Sequence, residues 1–413
     1  MTPTIAIIGC LDTKGVEVQF MKEVLEASGV RAHVIDAGVL GEPLLSADTT
    51  RHDLARLAGT TIGELQQRRD RGVAMEAMCR GCERAVLDLF RQERIQGVLS
   101  AGGSANTTIA TAAMRALPTG VPKVMVSTLA AGDVSTYVGV RDITSMYPIV
   151  DIAGLNRISE AVLANAARAA AAMALGRQAD ASRPPRPRRP LVAATMFGVT
   201  TPCVTEARRI LEEAGYEVLV FHATGTGGRA MEGLIRDGHI AGVLDITTTE
   251  LADELVGGIM SAGPDRLTAA GAAGIPQVVS LGALDMVNFG PPETVPERFR
   301  GRKLYRHNPA VTLLRTTPEE NAELGRRIAA RLRDARGPVR VLLPLRGVSL
   351  YAKEGGPFFD PAADGAVLEA IRTSLDGRIG RIEMDTDIND PAFARRAAEL
   401  LLALMGRAAG IDG

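Results

Sequence analysis

Four residues in the second half of the chain have side chains suited to acid–base chemistry. They are His222, Asp245, Glu250 and Arg346, and each lies at or just beyond the end of an apolar run that predicts a strand. An imidazole can move protons near neutral pH, and a guanidinium offers a planar fork to a carboxylate. If the four side chains share one rim, they predict a catalytic site for a small carboxylate-containing substrate. Taken singly, each is also consistent with a structural histidine or an ion pair.

A glycine-rich loop in the first half has the composition of an anion cradle. It follows an apolar run, opens a predicted helix, and consists of Gly102, Gly103, Ser104, Ala105, Asn106, Thr107 and Thr108. The glycines let the backbone approach a ligand, and the hydroxyl and amide side chains after them add donors at a helix N-terminus. The loop predicts a phosphate site, with a plain tight turn as the alternative.

Three further loops at predicted strand ends could complete a nucleotide site. Their candidate residues are Asp12, Thr13 and Lys14 after the first strand, Asp36 at the end of the second, and Ser127 and Thr128 after the fourth. Lys14 offers a point charge to phosphate, and an acid placed like Asp36 often binds ribose hydroxyls. Helix capping and turn formation are the alternatives for the acids and Thr13.

A magnesium ion could be held near these loops by Asp133 or Asp142. Carboxylate oxygens are preferred ligands of this ion. Acidic residues are nevertheless common in loops, so the metal ligands stay unassigned.

The elements that would position these residues occur twice along the chain. In the first half, strands are predicted at Thr4–Ile8, Arg31–Asp36, Gly97–Ser100 and Lys123–Ser127; in the second half, they are predicted at Leu191–Thr195, Glu217–His222, Gly242–Asp245 and 274–280. Ala-rich helical stretches alternate with them, which is typical of βαβ units. The pattern predicts an α/β protein with two Rossmann-like, doubly wound, mainly parallel sheets that arose by internal duplication. Ligands of such sheets bind outside the carboxyl ends of the strands.

The duplication also predicts the domain organisation. The first subdomain spans 1–180 with a helical insertion near 38–86, a Pro/Arg linker spans 181–190, and the second subdomain spans 191–413. The Pro-rich stretch Phe289–Pro309 has no clear element and is expected to be a lid that carries Lys303, Arg306 and His307.

Composition excludes several classes of function. The net charge of −1 gives no basic surplus for nucleic-acid binding, although nearly all of the 47 basic residues are Arg. No uninterrupted apolar run reaches the length of a membrane span, and the N-terminus has no signal-peptide pattern. We therefore expect a soluble, cytoplasmic protein with no nucleic-acid or membrane partner.

Several motifs resemble the Tm-one-like ATP-binding domain family. They are Leu-Asp-Thr-Lys-Gly (11–15), the Gly-Gly-Ser loop, Gly-Val-Pro-Lys-Val-Met-Val-Ser-Thr (120–128), Val-Asp-Ile-Ala-Gly-Leu-Asn-Arg-Ile-Ser (150–159), 243–255, 285–293 and 343–349. The resemblance covers essentially the whole chain. It implies two Rossmann-like subdomains, binding of ATP with Mg²⁺, and a homodimer, which the small residues of 161–175 would suit. The chain has Ala105 and Asn106 where this family is expected to have glycines.

Two functions are compatible with these features. The first is a nucleotide-using enzyme, with ATP in the first half and a small substrate in the second. The second is a non-catalytic ATP-binding module that works by binding another protein. The polar rim of His222, Asp245, Glu250 and Arg346 favours the enzyme, because a pure binding module has no need of it.

Overall fold

The chain folds into two compact units, residues 1–186 and residues 187–413. The computed structural model describes residues 2–183 and 188–408. Positions 184–187 of the predicted Pro/Arg linker therefore lie outside the described residues. Each unit is built on its own parallel sheet.

The first unit has a five-stranded sheet. Its strands are β1 (Thr4–Gly9), β2 (Arg31–Asp36), β3 (Gly97–Gly102), β4 (Lys123–Ser127) and β5 (Thr144–Met146), in the order β2-β1-β3-β4-β5. Its helices are α1 (Leu11–Ala27), α2 (Arg51–Leu57), α3 (Ile62–Arg68), α4 (Arg71–Arg91), α5 (Ser104–Ala116), α6 (Ser135–Val138) and α7 (Arg157–Ala181). The stretch predicted as a helical insertion contains α2, α3 and most of α4.

Alternate residues of β1 face two apolar cores. Ile5 and Ile7 pack with α1 and α7, whereas Ala6 and Ile8 pack with α4 and α5 on the other face. Side chains alternate in this way along every strand, so a strand that is covered on both faces is apolar throughout. The helices after the neighbouring strands β1 and β3 thus lie on opposite faces. A ligand crevice opens beyond the carboxyl ends of strands at such a switch point.

Helix α7 belongs to this core. By length and composition it could cross a membrane, but Leu163, Ala166, Ala170 and Ala174 are buried against the sheet. It is thus a core helix of the first unit. The expectation that its small residues form a dimer contact is wrong for this face, because the unit's own core already covers it.

The second unit has a six-stranded parallel sheet and a smaller antiparallel one. The large sheet contains β6 (Leu191–Met196), β7 (Glu217–His222), β8 (Ile240–Thr247), β9 (Gln277–Gly282), β13 (Val339–Pro344) and β14 (Gly380–Met384), in the order β14-β13-β9-β8-β6-β7. The small sheet contains β10 (Met286–Phe289), β11 (Leu304–Asn308) and β12 (Val311–Arg315). The helices are α8 (Thr201–Glu213), α9 (Thr226–Arg236), α10 (Glu250–Val256), α11 (Ala269–Ala273), α12 (Pro318–Arg333), α13 (Pro361–Ser374) and α14 (Pro391–Ala408).

The two sheets repeat one topology. The order β2-β1-β3-β4 of the first corresponds to β7-β6-β8-β9 of the second. Asp36 pairs with Gly9 at the end of β2, and His222 pairs with Met196 at the end of β7, so these two residues are equivalent. The predicted α/β class with two Rossmann-like, mainly parallel sheets is confirmed.

The expected lid is not a free segment. Leu304–Asn308 is β11, which pairs with β12, and β12 pairs in turn with β10. The prediction of a stretch without elements over Phe289–Pro309 is therefore wrong. Its second part is a strand anchored at the carboxyl side of the large sheet.

Candidate functional site

The carboxylate of Asp36, at the end of β2, is fully engaged in hydrogen bonds within the protein. Asp36 Oδ1 accepts hydrogen bonds from the backbone N–H groups of Leu11 (3.1 Å) and Gly38 (2.9 Å). Its Oδ2 accepts one from Arg51 Nε at 2.6 Å, and both ionic side chains are buried. Asp36 therefore holds the start of α1 and does not present a carboxylate to a ribose, which corrects the prediction.

The loop after β1 is likewise bonded internally. Asp12 accepts hydrogen bonds from the backbone N–H groups of Leu40 and Gly41, and the Thr13 hydroxyl donates to the Cys10 carbonyl. The Lys14 ammonium donates to the Ile152 carbonyl, on the side of the sheet where α1 and α7 pack. These contacts correct the prediction for all three residues. They tie loops together, and the structure does not bring Lys14 to the glycine-rich loop as a phosphate ligand.

The start of α5 is open. Gly103 is its N-cap and has no side chain to cap the helix, and among the described residues none accepts a hydrogen bond from the N–H groups of Ser104, Ala105 or Asn106. A Cβ at Gly103 would have Thr128 Oγ1 as its nearest neighbour, at 3.8 Å, whereas a Cβ at Gly102 would clash with Asn106 Cβ at 2.6 Å. Ser104 is exposed at the first helical position. The backbone N–H groups of the first turn of a helix have no intrahelical acceptor, so this turn can bind an anion.

The polar side chains after the loop lie beneath it. Asn106 Nδ2 donates to Ser100 Oγ (2.9 Å) and to the Ala101 carbonyl (2.7 Å), and the Thr107 and Ser127 hydroxyls share a hydrogen bond of 2.8 Å. All of these side chains are buried. Asn106, Thr107 and Ser127 thus fix the loop from below and are not ligands, which corrects the prediction.

The remaining loop residues have different positions. The Thr108 hydroxyl donates to the Ser104 carbonyl at 2.8 Å, within the helix. The Thr128 backbone N–H donates to the Gly102 carbonyl at 3.3 Å, and its side chain is half-buried beside Gly103. The family is expected to have a glycine at position 106. The Asn106 side chain points into the unit, so it does not cover the backbone of the loop.

The two candidate magnesium ligands are also engaged. Asp142 forms an ion pair with Lys123 Nζ (2.8 Å) and accepts a hydrogen bond from the Gly120 N–H (2.7 Å). Asp133 accepts a hydrogen bond from the Ser135 N–H, which lowers the pKa of this carboxyl. Within residues 2–183 and 188–408, no group of three His, Cys, Asp or Glu side chains could hold a metal ion.

Two of the four predicted catalytic residues form a buried ionic cluster. Arg266 donates through both Nη atoms to Asp245 (2.6 Å each) and through Nε to Glu250 Oε2 (2.7 Å). All three side chains are buried, and Glu232 Oε1 lies 3.5 Å from Arg266 Nη1. Asp245 and Glu250 therefore neutralise a buried guanidinium and are not free for proton transfer.

Glu250 also fills the anion cradle at the start of α9. Its Oε1 accepts hydrogen bonds from the backbone N–H groups of Gly225 (2.7 Å) and Gly228 (3.0 Å). A carboxylate is favoured at a helix N-terminus for the same reason as a phosphate. In the second unit the chain itself supplies this anion.

Arg346 lies on the other side of the large sheet from His222. It forms a bidentate, exposed ion pair with Asp385 at the ends of β13 and β14. Four strand spacings separate β13 from β7, where His222 ends the strand, so the two residues are about 19 Å apart across the sheet. The predicted constellation of four residues on one rim is wrong.

His222 instead lines a cavity of about 230 Å³ at the carboxyl ends of β6 and β7. The lining residues are Phe197, Gly198, Val199, His222, Thr224, Met260, His307, Asn308, Val311 and Leu313. The rings of His222 and Phe197 meet edge to face, with centroids 5.3 Å apart. His307 Nδ1 forms a hydrogen bond of 3.0 Å with the Tyr351 hydroxyl.

Sequence reasoning missed the arginines that hold these acids. Arg51 between Asp12 and Asp36, and Arg266 between Asp245 and Glu250, are both buried. A signal for them exists, because a carboxylate that stays ionised when buried needs a compensating cation. The signal does not say which of many arginines supplies it.

The two mainly parallel sheets, each with helices packed on both faces, define a two-unit α/β protein of Rossmann-like architecture. The chain belongs to the uncharacterised protein family UPF0261. The model of the family's N-terminal domain matches residues 3–179, and the model of its C-terminal domain matches residues 189–405.

Two relatives show how far the similarity extends. A UPF0261 protein of Clostridium tetani is 49% identical over 98% of this chain and 100% of its own length. The ToMV resistance protein Tm-1(GCR237) of Solanum lycopersicum is 37% identical over 100% of this chain and 57% of its own length. The resemblance to Tm-1 proteins is thus confirmed. Among solved structures, UDP-N-acetylglucosamine 2-epimerase from Rickettsia bellii aligns with a TM-score of 0.24 and 9% identity over 67% of this chain and 78% of its own, too little to carry an argument.

Proposed function

We propose that the protein binds a nucleotide, ATP by the family resemblance, with its phosphates on the N-terminus of α5. The observation that carries the proposal is the uncapped first turn of α5 behind Gly102 and Gly103, at the switch point between β1 and β3. Backbone N–H groups and the helix dipole both favour negative charge there.

The first turns of two other helices at the carboxyl edges, α1 and α9, differ from that of α5, and the difference supports this assignment. The N–H of Leu11 at the start of α1 binds the Asp36 carboxylate, and the N–H of Gly228 at the start of α9 binds Glu250. The fold thus places an anion at these helix starts from within. At α5 the described residues supply none, so an external phosphate can take the equivalent position.

The residues that fit the phosphates are few. They are the backbone of Gly102, Gly103 and Ser104, the Ser104 hydroxyl, and the half-buried Thr128 beside Gly103. The neighbouring Asp133 and Asp142 are bonded elsewhere, so a magnesium ion would come with the nucleotide phosphates and not be held by this chain alone. The catalytic quartet of His222, Asp245, Glu250 and Arg346 is not part of the proposal.

The test is isothermal titration of ATP into the wild type and three variants. Ser104→Glu places a carboxylate on the first turn of α5, where it favours the helix but competes with phosphate. We expect ATP affinity to fall by about tenfold or more. Ser104→Ala, the matched control, keeps the backbone donors and should cost only about threefold.

Lys14→Ala distinguishes the site proposed here, which does not include Lys14, from the phosphate site predicted from the sequence, which does. If the Lys14 ammonium stays on the Ile152 carbonyl, ATP affinity will not change. A phosphate contact by Lys14 would instead cost about 10- to 150-fold on its loss. No heat of binding with ATP, or equal affinity for wild type and Ser104→Glu, contradicts the proposal. ATP binding without turnover would favour the non-catalytic module.

A further inference from the structure

The cavity beside His222 is separate from the buried ionic cluster of the second unit. Asp245, Glu250 and Arg266 are not among its lining residues. Its walls are formed by the segment just after β6, the end of β7 and the loop after it, Met260 after α10, and the hairpin of β11 and β12. We infer that this cavity binds a small organic acid through His222 and His307. The inference goes beyond the proposed nucleotide function and does not depend on it.

The His307 ring is oriented by its neighbours. The Tyr351 hydroxyl occupies Nδ1, and the Tyr351 ring packs on Tyr305, with centroids 5.0 Å apart, and on Phe358, with centroids 6.3 Å apart. Because Nδ1 already has a partner, Nε2 is the nitrogen of His307 that remains for a ligand. An aromatic cluster thus positions one side of the site.

The His222 ring is positioned without using its nitrogens. It meets Phe197 edge to face, and no described residue forms a hydrogen bond with either ring nitrogen. The residue ends β7, where ligands of parallel sheets bind. The two imidazoles therefore enter one cavity from two different elements, β7 and β11.

The lining determines the class of ligand. Among the described residues that line the cavity none is acidic, whereas the two histidines and the side chains of Thr224 and Asn308 can donate hydrogen bonds. Imidazole N–H groups bind a carboxylate, more strongly when the ring is charged.

Shape and size narrow the choice further. The rest of the lining includes the aliphatic side chains of Val199, Met260, Val311 and Leu313. The volume of about 230 Å³ holds about eight water molecules at about 30 Å³ each, so the ligand has a similar number of heavy atoms. A carboxylate on a short aliphatic chain matches both the polar and the aliphatic parts of the lining.

The experiment uses isovalerate as the probe and isovaleramide, its neutral counterpart of equal size, as the control ligand. Binding to the full chain is followed by the ring ¹H–¹³C NMR signals of the five histidines. We expect isovalerate to shift the signals of His222 and His307 and to bind about tenfold or more tightly than isovaleramide. The signals of His33, His52 and His239 should stay in place.

Glutamine variants assign the effect to the two rings. His222→Gln and His307→Gln should each weaken isovalerate binding by about tenfold. His239 is exposed and lies just before the first residue of β8, at the amino ends of the strands and away from the cavity. His239→Gln should therefore leave binding unchanged. The thermal midpoints of the variants check that they are folded. Equal affinity for acid and amide, shifts spread over all five histidines, or no shift of His222 and His307 would overturn the inference.

Discussion

Arg266 is the residue on which the buried polar interior of the second unit depends. Its side chain is fully buried and neutralises Asp245 and Glu250 at 2.6–2.7 Å. Arg266→Met would leave these carboxylates buried without a cation, and we expect a loss of about 3–5 kcal/mol in the free energy of unfolding. Urea denaturation followed by circular dichroism measures the change.

Arg346 provides the matched control, because it forms the same bidentate pair in solvent. Both Arg346 and its partner Asp385 are about two-thirds exposed. Exposed pairs contribute little, so Arg346→Met should unfold at the wild-type urea concentration. Arg266→Lys, which keeps the charge and loses the fork, should fall between the two. Similar midpoints for Arg266→Met and Arg346→Met would refute the assigned role.

Residue types alone reveal part of this chemistry. Asp245 and Glu250 stand out in the sequence because acids are rare in apolar stretches, and they do share one site. Their partner Arg266 lies 21 residues after Asp245 and 16 after Glu250, and nothing local distinguishes it from other arginines. Asp36 and Arg51 repeat the problem in the first unit. Type and spacing identify an unusual carboxylate, but its partner depends on the fold.

At the scale of elements, the junction between β9 and β10 carries a buried acid. Asp285 accepts a hydrogen bond from Ser349 Oγ at 2.8 Å, and burial raises the pKa of Asp285 from 3.8 to about 7. The folded state therefore binds more protons than the unfolded state between these values. Its contribution to the free energy of unfolding is fully present below the lower value and is lost as the pH rises through 7.

Asp285→Asn removes this titration and keeps an acceptor for Ser349. Burial raises the pKa of Asp253 from 3.8 to about 7 as well, so wild-type stability should fall as the pH rises from about 4 to about 7. The variant should show a smaller fall in urea denaturation over the same range, and the exposed Asp265→Asn should behave like wild type. A variant with the full wild-type slope would show that Asp285 does not titrate in this range.

Elements with strong periodicity were predictable, and the small sheet was not. The strands β1, β6 and β8 are buried on both faces and are therefore continuous apolar runs. Such runs can be recognised in the sequence without knowing which strands they pair with. By contrast β11, with the sequence Leu-Tyr-Arg-His-Asn, is mostly exposed and follows a Pro-rich stretch. Its identity as a strand comes from pairing with β12, and such pairing is a tertiary effect.

At the scale of the whole molecule, the two sheets share a topology but carry different groups at their carboxyl edges. The first has a bare helix start at α5, and the second has internal ion pairs around Arg266 with a separate cavity beside it. Similar topology therefore does not imply a similar site, because function depends on the side chains placed at the strand ends. The loops at both carboxyl edges could be predicted from the sequence. Which of their polar side chains bond to one another, and which remain available to a ligand, could be seen only in the structure.

A homodimer remains a prediction, and the surface around the start of α1 is where we place its contact. Leu40, Leu44 and Ile149 are 84%, 65% and 63% exposed. The N–H groups of Leu40 and Leu44 donate to the Asp12 side chain and the Leu11 carbonyl at the start of α1, and Lys14 of the same turn donates to the carbonyl of Ile152, three residues after Ile149. Exposed apolar patches of this kind mark contacts between proteins. Light scattering at micromolar concentration and physiological salt should give the mass of two chains for the wild type. Leu40→Asp combined with Ile149→Asp should give the mass of one chain that is still folded by circular dichroism, since neither side chain is in a core. Val16→Asp, an equally drastic change on the exposed outer face of α1, tests whether the contact extends along that helix. A wild-type monomer would contradict the dimer, and a double variant that stays dimeric would place the contact elsewhere on the molecule.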